Sequence, residues 1–419
     1  MFTQKHNCGL AKLANDQICT WRGNIKPITP SAHEHTFAML VVCSTTDILV
    51  GLTHDGSVLA GRPCDDALVD ITAMIYKALG IDNCAIEEIH AYGDYIIVRA
   101  GRYVGNIQIY AKFEDRWIQS GFALANIAVY KLEYDIDLIS FNESHGFIRT
   151  VDGTLYSTGS NSYCEGGVPF EGNFGRGLCK VDIPYAQDIS KIICGNSFTV
   201  LLMMDGSVRA CGSGHGDFER GYGDIEQRYA HIPFKPVEFS GDVCVAKVIT
   251  DGYLVFYVTI KGLCYVADTT NRWRPLEPTR HILGQDAFRA QNEKLNPILR
   301  GLRPILMHTL KGYSIENVFL LKNTIIVQHD GGKLAWIRDS NKEPIPLPFF
   351  DDEFIVSVNW SDEHIYFITI KGHMYNSGTD INQDQIVMIP FFTDNPIMVE
   401  HSTNHIRSAA SDLSRGANY

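Results

Sequence analysis

The sequence predicts an all-β chain built as a β-propeller, on three observations. One hairpin, apolar strand, β-rich strand, Gly-containing turn and third strand, is rewritten along most of the 419 residues. Its hinge recurs about every 50 residues, a spacing that suits the blades of a propeller. The 3.6-residue apolar periodicity that a helical solenoid would need is missing outside one short insert.

The units come in order. "DILVGLTHDGSVLAGR" (47–62) turns at Asp55-Gly56, and "EEIHAYGDYIIVRAGRYVGNIQIYAKF" (87–113) is a weaker unit with a longer turn. "ISFNESHGFIRTVDGTLYSTGSN" (139–161) and "KIICGNSFTVLLMMDGSVRACGSG" (191–214) turn at Asp152-Gly153 and Asp205-Gly206. "AKVITDGYLVFYVTIKGLCYVAD" (246–268), "ENVFLLKNTIIVQHDGGKLAWIRD" (316–339) and "VSVNWSDEHIYFITIKGHMYNSG" (356–378) follow, hinged at Lys261, Asp330 and Lys371. A two-residue Asp-Gly, Lys-Gly or Gly-Gly turn is expected at each, with glycine supplying positive φ. At the ends, residues 13–24 read as the turn and third strand of a unit and 396–412 as its first two strands. Joined, they would close the ring and remove its exposed edges. Counting that hybrid gives eight blades; discounting it, or one weak unit, gives seven.

Composition sets the broad class. Hydrophobic residues at 45% and charged residues at 20% are those of a soluble globular protein, so global disorder is excluded. A net charge of −12 argues against whole-surface attraction to nucleic acid or anionic lipid. Eleven cysteines, an odd number without a C-x-x-C pair, several inside apolar runs, suit a reducing compartment. The N-terminus has no signal-like apolar core, and no window reaches the roughly 18 apolar residues of a membrane span. The expectation is an intracellular protein, cytoplasmic or nuclear, with no membrane partner.

"DISKIICGNSFTVLLMMDGSVRACGSGHGDFERGYGD" (188–224) and "TVDGTLYSTGSNSYCEGG" (150–167) are similar to the repeat of the regulator of chromosome condensation family. In that repeat a Cys-Gly-x-x-His/Phe-Thr segment precedes Asp-Gly-x-Val and a Gly-x-Asn-x-x-Gly-x-x-Gly loop. The other units match in hydrophobic skeleton and turn. The resemblance implies a single seven-bladed propeller over 1–419, with insertions at about 64–84 and 269–313. It covers exchange factors for the small GTPase of nuclear transport, chromatin-binding proteins, enzyme inhibitors and adaptor modules, so it does not choose a function. Exchange factors of the family act through loops and a β-wedge that displaces the switch segments of the GTPase. None of their residues maps onto a position here, and the connections after Gly159 and Asp268 are longer than the family's.

The insertion at 269–313 is the strongest compositional anomaly, with six arginines and two lysines against three acids. Arg272, Trp273, Arg274, Arg280, Arg289, Arg300 and Arg303 are the candidate partner-binding residues, suited to an acidic protein surface such as a small GTPase. The alternative is a solvated loop packed over one blade. Residues 285–295 within it read as a short helix. In 66–81, Leu68, Ile71, Ile75 and Leu79 stand at helical spacing, and that face should dock on its own chain.

Catalysis, cofactor and metal are not expected. The glycine-rich stretches 165–177 and 212–224 lack Gly-Lys-Ser/Thr and a following apolar helix, so inter-blade packing explains them better than a phosphate cradle. His33 and His35 share a strand face, and His401 and His405 share a terminus, without a third ligand for a metal. Asp65-Asp66, Glu87-Glu88 and Asp351-Asp352-Glu353 are neighbours that would point opposite ways on a strand, poor geometry for a dyad. The innermost strands read as mostly apolar. The expected role is non-catalytic recognition of a protein partner, with guanine-nucleotide exchange or a structural place in a larger assembly as alternatives.

Overall fold

The computed structural model describes the strands, one helix and most short connections; residues 23–36, 213–233, 269–303 and 389–419, with shorter stretches elsewhere, lie outside the described residues. Seven consecutive four-stranded antiparallel sheets follow one another: sheet 1 (37–70), sheet 2 (88–131), sheet 3 (136–181), sheet 4 (189–236), sheet 5 (245–306), sheet 6 (315–346) and sheet 7 (355–388). Strand order in each follows the chain. Neighbouring sheets meet along their first strands, as Phe37–Cys43 meets Glu88–Tyr92 and Ile315–Leu321 meets Ile355–Trp360. The cores lie between sheets: Leu201 and Cys211 of sheet 4 pack with Phe147 and Leu155 of sheet 3, and Ile326 and Trp336 of sheet 6 with Ile365 and Phe367 of sheet 7.

The meander gives every sheet two ends. The connection from second to third strand and the linker to the next sheet share one end, here the turn end. The connections from first to second and from third to fourth strand share the other, the loop end.

At the turn end the hinge differs from the two-residue turn expected from the sequence, except in sheet 2, where the turn read as longer is the two-residue Gly101-Arg102 between Ala100 and Tyr103. In sheet 1 the Gly56 N–H bonds the Thr53 carbonyl at 3.1 Å, and the Thr53 N–H bonds the Ser57 carbonyl at 2.8 Å. The loop is therefore three residues, His54-Asp55-Gly56, with glycine last at φ 87°. The same pair of bonds recurs at Thr150, Met203, Thr259 and Thr369. A three-residue hairpin needs the left-handed conformation at its final position, which puts glycine one place later than a two-residue turn would. The aspartate folds back as a cap: Asp205 Oδ1 accepts from the Ser207 N–H at 2.8 Å, and Asp152 from the Thr150 and Thr154 hydroxyls at 2.5 and 2.8 Å.

The helix expected within 66–81 forms over the shorter Thr72–Leu79 and ends at Gly80 in the left-handed conformation. It is shorter because Val69–Asp70 is the fourth strand of sheet 1, and Leu68, ahead of it, packs with Phe37, Leu49 and Leu59 instead. Ile71, Ile75 and Leu79 are buried against Ile107, Ile109 and Phe122 of sheet 2, so the apolar face docks on its own chain. The approach depends on Gly105, where a Cβ would lie 2.4 Å from Leu79 Cδ2. In sheet 2 the outer strands are long, Tyr103–Asp115 and Ile118–Lys131. Pairing with Tyr95–Ala100 stops at Gln108, and the last two strands continue as a hairpin beyond it at the loop end.

The N-terminal residues correct one expectation. Ile18–Arg22, within the 13–24 read as a turn and third strand, is the third strand of a sheet whose first two, Phe2–Lys5 and Cys8–Lys12, come from the N-terminus as well and were not read. Strands this short and polar leave no alternation to read. The first of them touches the first strand of sheet 7. The C-terminal half of the hybrid blade, 396–412, lies outside the described residues.

Candidate functional site

The first strands of the sheets, those expected to be innermost, carry more charge than the apolar reading allowed. Each first strand except that of sheet 2 has a register shift after its first residue, as between Ile136 and Leu138, Ile189 and Lys191, Val245 and Lys247, and Ile315 and Asn317. The extra residue breaks the period-2 alternation, so the sequence does not show which side chains leave the core there. Asp137, Lys191, Lys247 and Glu316 stand at or beside these bulges, and Glu88 holds the matching place in sheet 2.

Asp137, Lys247, Glu316 and Glu88 are engaged with the framework, while Lys191 is exposed. Arg149, almost fully buried, holds Asp137 through Nε and Nη2 at 3.0 and 2.8 Å and donates through Nη1 to the Ala186 and Ile189 carbonyls at the start of sheet 4. Arg99 likewise pairs Glu87 and Glu88 and reaches the Ile136 carbonyl at 3.2 Å. In sheet 6 the neutral Gln328 makes the same reach to the Ile355 carbonyl at 2.9 Å. Lys247 spans from sheet 5 to the Glu316 carbonyl at 3.0 Å; burial pulls its ammonium below the usual lysine range. The Glu316 carboxylate accepts from the Gly331 N–H at 2.6 Å. Hydrogen bonding by His90 first, and then the Arg99 guanidinium, holds Glu88 low against the effect of burial. Each carboxylate bonds within its own sheet, and Asp137, Glu87 and Glu88 hold the guanidinium groups that reach the next one, an arrangement that is not that of a general acid and base.

At the loop end a second network fastens sheet 3 to sheet 4. Asn142 caps its own turn, its Oδ1 accepting from the Ser144 and His145 N–H groups at 2.8 Å each, while its Nδ2 donates to the Gly195 carbonyl. His145 is buried, with Nδ1 3.0 Å from Ser144 Oγ and Nε2 2.7 Å from Thr199 Oγ1 in the next sheet. Thr199 donates to the Glu165 carbonyl at 2.9 Å, and Ser160 Oγ to the Glu165 carboxylate at 2.6 Å. Ser144 and His145 do not make a catalytic pair. The imidazole has both nitrogens committed inside the core, and burial pulls its pKa to about 3, too low for a base at neutral pH. Gly167, in the glycine-rich 165–177, lies against the Phe234 ring of sheet 4, where a Cβ would come within 2.4 Å. Glycine here serves packing between sheets.

All seven candidate partner-binding residues, Arg272, Trp273, Arg274, Arg280, Arg289, Arg300 and Arg303, lie outside the described residues, as does the helix read over 285–295. The structure does place the ends of their segment. It leaves the third strand of sheet 5 at Asp268 and returns at the fourth, Ile305–Leu306, so it emanates from the loop end. The end of the stretch read as insertion therefore belongs to the sheet, with Met307 and Leu310 buried in the core. The histidines His33, His35, His401 and His405 are also outside, and among the described residues no three His, Cys, Asp or Glu come together as metal ligands. The eight cysteines whose side chains are described are free thiols, and no helix of the described residues is long and apolar enough to cross a membrane. The cross-sheet clamps of Arg99, Arg149 and Gln328 were not read from the sequence; a polar residue in an otherwise apolar second strand is the signal that marks them.

No family model matches the chain, and no curated protein matches it. Several solved structures are similar to it. Human WBSCR16 is 15% identical with a TM-score of 0.48, over 73% of this chain and 80% of that one. Prp20p from Saccharomyces cerevisiae, described with its binding to Gsp1p and histones, is 10% identical with a TM-score of 0.49, over 97% and 92%. Yeast RCC1 (Prp20) bound to Kap60 is 12% identical with a TM-score of 0.45, over 88% and 75%.

Proposed function

We propose that this chain is a protein-binding propeller that acts without chemistry of its own. Its seven four-stranded sheets would close as a ring with the three-stranded N-terminal sheet set between sheet 7 and sheet 1, a total of eight. The contact of the first N-terminal strand with the first strand of sheet 7 supports that closure, because it repeats how consecutive sheets meet.

The observation that carries the function is the contrast between a clamped framework and long connections rooted in it. The connections from third to fourth strand in sheets 3, 4 and 5 (160–174, 213–234 and 269–304) are the longest, and they leave the same end of three successive sheets. A rigid scaffold loses little entropy on presenting such segments to a partner. The arginine-rich 269–304 gives the partner's chemistry, an acidic protein surface. The test is affinity capture with the full chain beside one in which 270–303 is replaced by a short Gly-Ser link, sparing Ile305–Leu306. Loss of the captured proteins is expected, and identical recovery would reject the arginine segment as the binding element.

A second reading is nucleotide exchange on a small GTPase. The sheet 2 hairpin that runs past its neighbouring strand favours it, as a rigid projection of the kind that displaces switch segments. A nucleotide-release assay across small GTPases decides, with no acceleration rejecting the reading.

A further inference from the structure

The turn end of sheets 3, 4 and 5 carries an apolar feature that the fold does not require. In each, the first residue of the three-residue loop is pinned by its own N–H to the carbonyl just before the sheet's first strand: Val151 to Asp135 at 2.9 Å, Met204 to Asp188 at 2.8 Å, Ile260 to Cys244 at 3.0 Å. Sheet 6 makes the same bond, Asp330 to Ser314 at 3.1 Å, sheet 1 has His54 at this position, and sheet 7 has the less exposed Ile370, bonded to Phe354 at 2.8 Å. A polar side chain therefore suits the turn equally well. Val151, Met204 and Ile260 are nonetheless 60%, 67% and 58% exposed. Apolar surface left in water forgoes about 25 cal/mol per Å², so three such residues at one position of successive sheets bring folding no return.

The tips are also fixed relative to one another. Gln187 Nε2, ahead of sheet 4, donates to the Asp152 carbonyl of sheet 3 at 3.0 Å, and the Val245 N–H that opens sheet 5 bonds the Gly206 carbonyl of sheet 4 at 2.8 Å. Successive turns thus stand side by side as a row. The charge around that row is one-sided. Asp135 and Asp152 flank Val151, Asp188 and Asp205 flank Met204, and Asp242 lies in the linker before sheet 5. Among the described residues of these turns and of the linkers before and after them, Lys261 and Lys311 are the exposed cations. Hydrogen bonds to the Asp152 and Asp205 carboxylates hold both below the usual range, so they stay ionised.

We propose that Val151, Met204 and Ile260 form a docking edge for a segment of a partner protein that presents apolar side chains between lysines or arginines. The apolar tips favour burial, while the acids repel acidic proteins and anionic lipid. They also repel a second copy of this chain, which carries a net charge of −12. The inference rests on the protein-binding reading but uses the end opposite the arginine-rich connection, so each can fail alone.

The test titrates the full chain into a fluorescent peptide of alternating leucine and lysine, with a leucine and glutamate peptide of equal length as control, followed by anisotropy. The leucine-lysine peptide should bind, and V151S/M204S/I260S should weaken it at least tenfold with an unchanged thermal midpoint. Asp152→Asn with Asp205→Asn should weaken it severalfold, and Asp55→Asn in sheet 1 should not. The proposal is overturned if the triple variant binds like the parent, if the glutamate peptide binds equally, or if Asp55→Asn costs as much as the sheet 3 and 4 pair. It is overturned too if the tips instead mediate association with phosphatidylcholine vesicles or self-association in sedimentation velocity. Capture that depends on 270–303 but not on the triple variant would leave the protein-binding reading standing while this inference falls.

Discussion

The two ends of the sheets solve the same problem, connecting antiparallel strands, in opposite ways. At the turn end one backbone design recurs in every sheet but sheet 2, three residues closed by a glycine, and diversity is confined to the side chains of its first two positions. At the loop end the connections range from two residues between Asp115 and Ile118 to the span from Asp268 to Ile305. The turn end thus varies chemistry on a fixed frame, and the loop end varies reach. The crowding at the glycines follows their neighbours and not the end at which they stand. Gly56 at a turn has open space where a Cβ would go, whereas a Cβ would sit 2.5 Å from Ser314 Oγ on Gly262 at another turn and 2.5 Å from the Ser197 carbonyl oxygen on Gly212 at the loop end.

That difference is open to measurement, and the largest effect is expected at the loop end. Gly212→Ala combines a positive φ with a backbone clash and should cost about 3 kcal/mol or more in urea unfolding. Gly56→Ala meets only the conformational penalty and should cost about 1 kcal/mol. Equal costs would break the comparison. Arg149→Met should cost about 3 kcal/mol, because it strands Asp137 and two carbonyls of the next sheet. Arg149→Lys, reaching fewer of those acceptors, should recover part of it.

The pH dependence isolates the loop-end network. His145 is neutral in the fold, with a pKa of about 3 against an ordinary value of 6.5. Between those values the unfolded chain binds a proton that the fold does not, so this group's stabilising contribution is complete above pH 6.5 and is lost as pH falls towards 3. At pH 5 the loss from this group is about 2 kcal/mol. Carboxylates with lowered pKa act in the same direction, so the readout is the difference between parent and His145→Gln in urea unfolding at pH 5 and 7.5, where the variant should show the shallower dependence. The smallest effect belongs to the turn tips: Met204→Ser should change stability by less than about 0.5 kcal/mol, since the side chain has nothing to lose.

Much of this was legible in the chain. The recurring hinge located the seven units because a hairpin that needs positive φ rewrites glycine at every turn. The Ile71, Ile75 and Leu79 spacing located the helix. The fourth strands were harder to see: Val69–Asp70, Lys235–Pro236 and Ile345–Pro346 are two residues each, too short to show alternation. Of the candidate site, the sequence picked out the arginine-rich segment by composition, yet it passed over Val151, Met204 and Ile260, which look like ordinary strand residues until their exposure is known.

Local order was set by the sequence itself: which stretches are strands, where they reverse, and which insert is helical, since turn conformation and side-chain periodicity are short-range properties. Tertiary structure alone decided that Arg149 reaches Ile189, that His145 meets Thr199, and that three apolar tips line up on successive sheets. Those pairings join residues about 40 or more positions apart, and a distance of that kind is fixed by how whole sheets stack, not by any local preference.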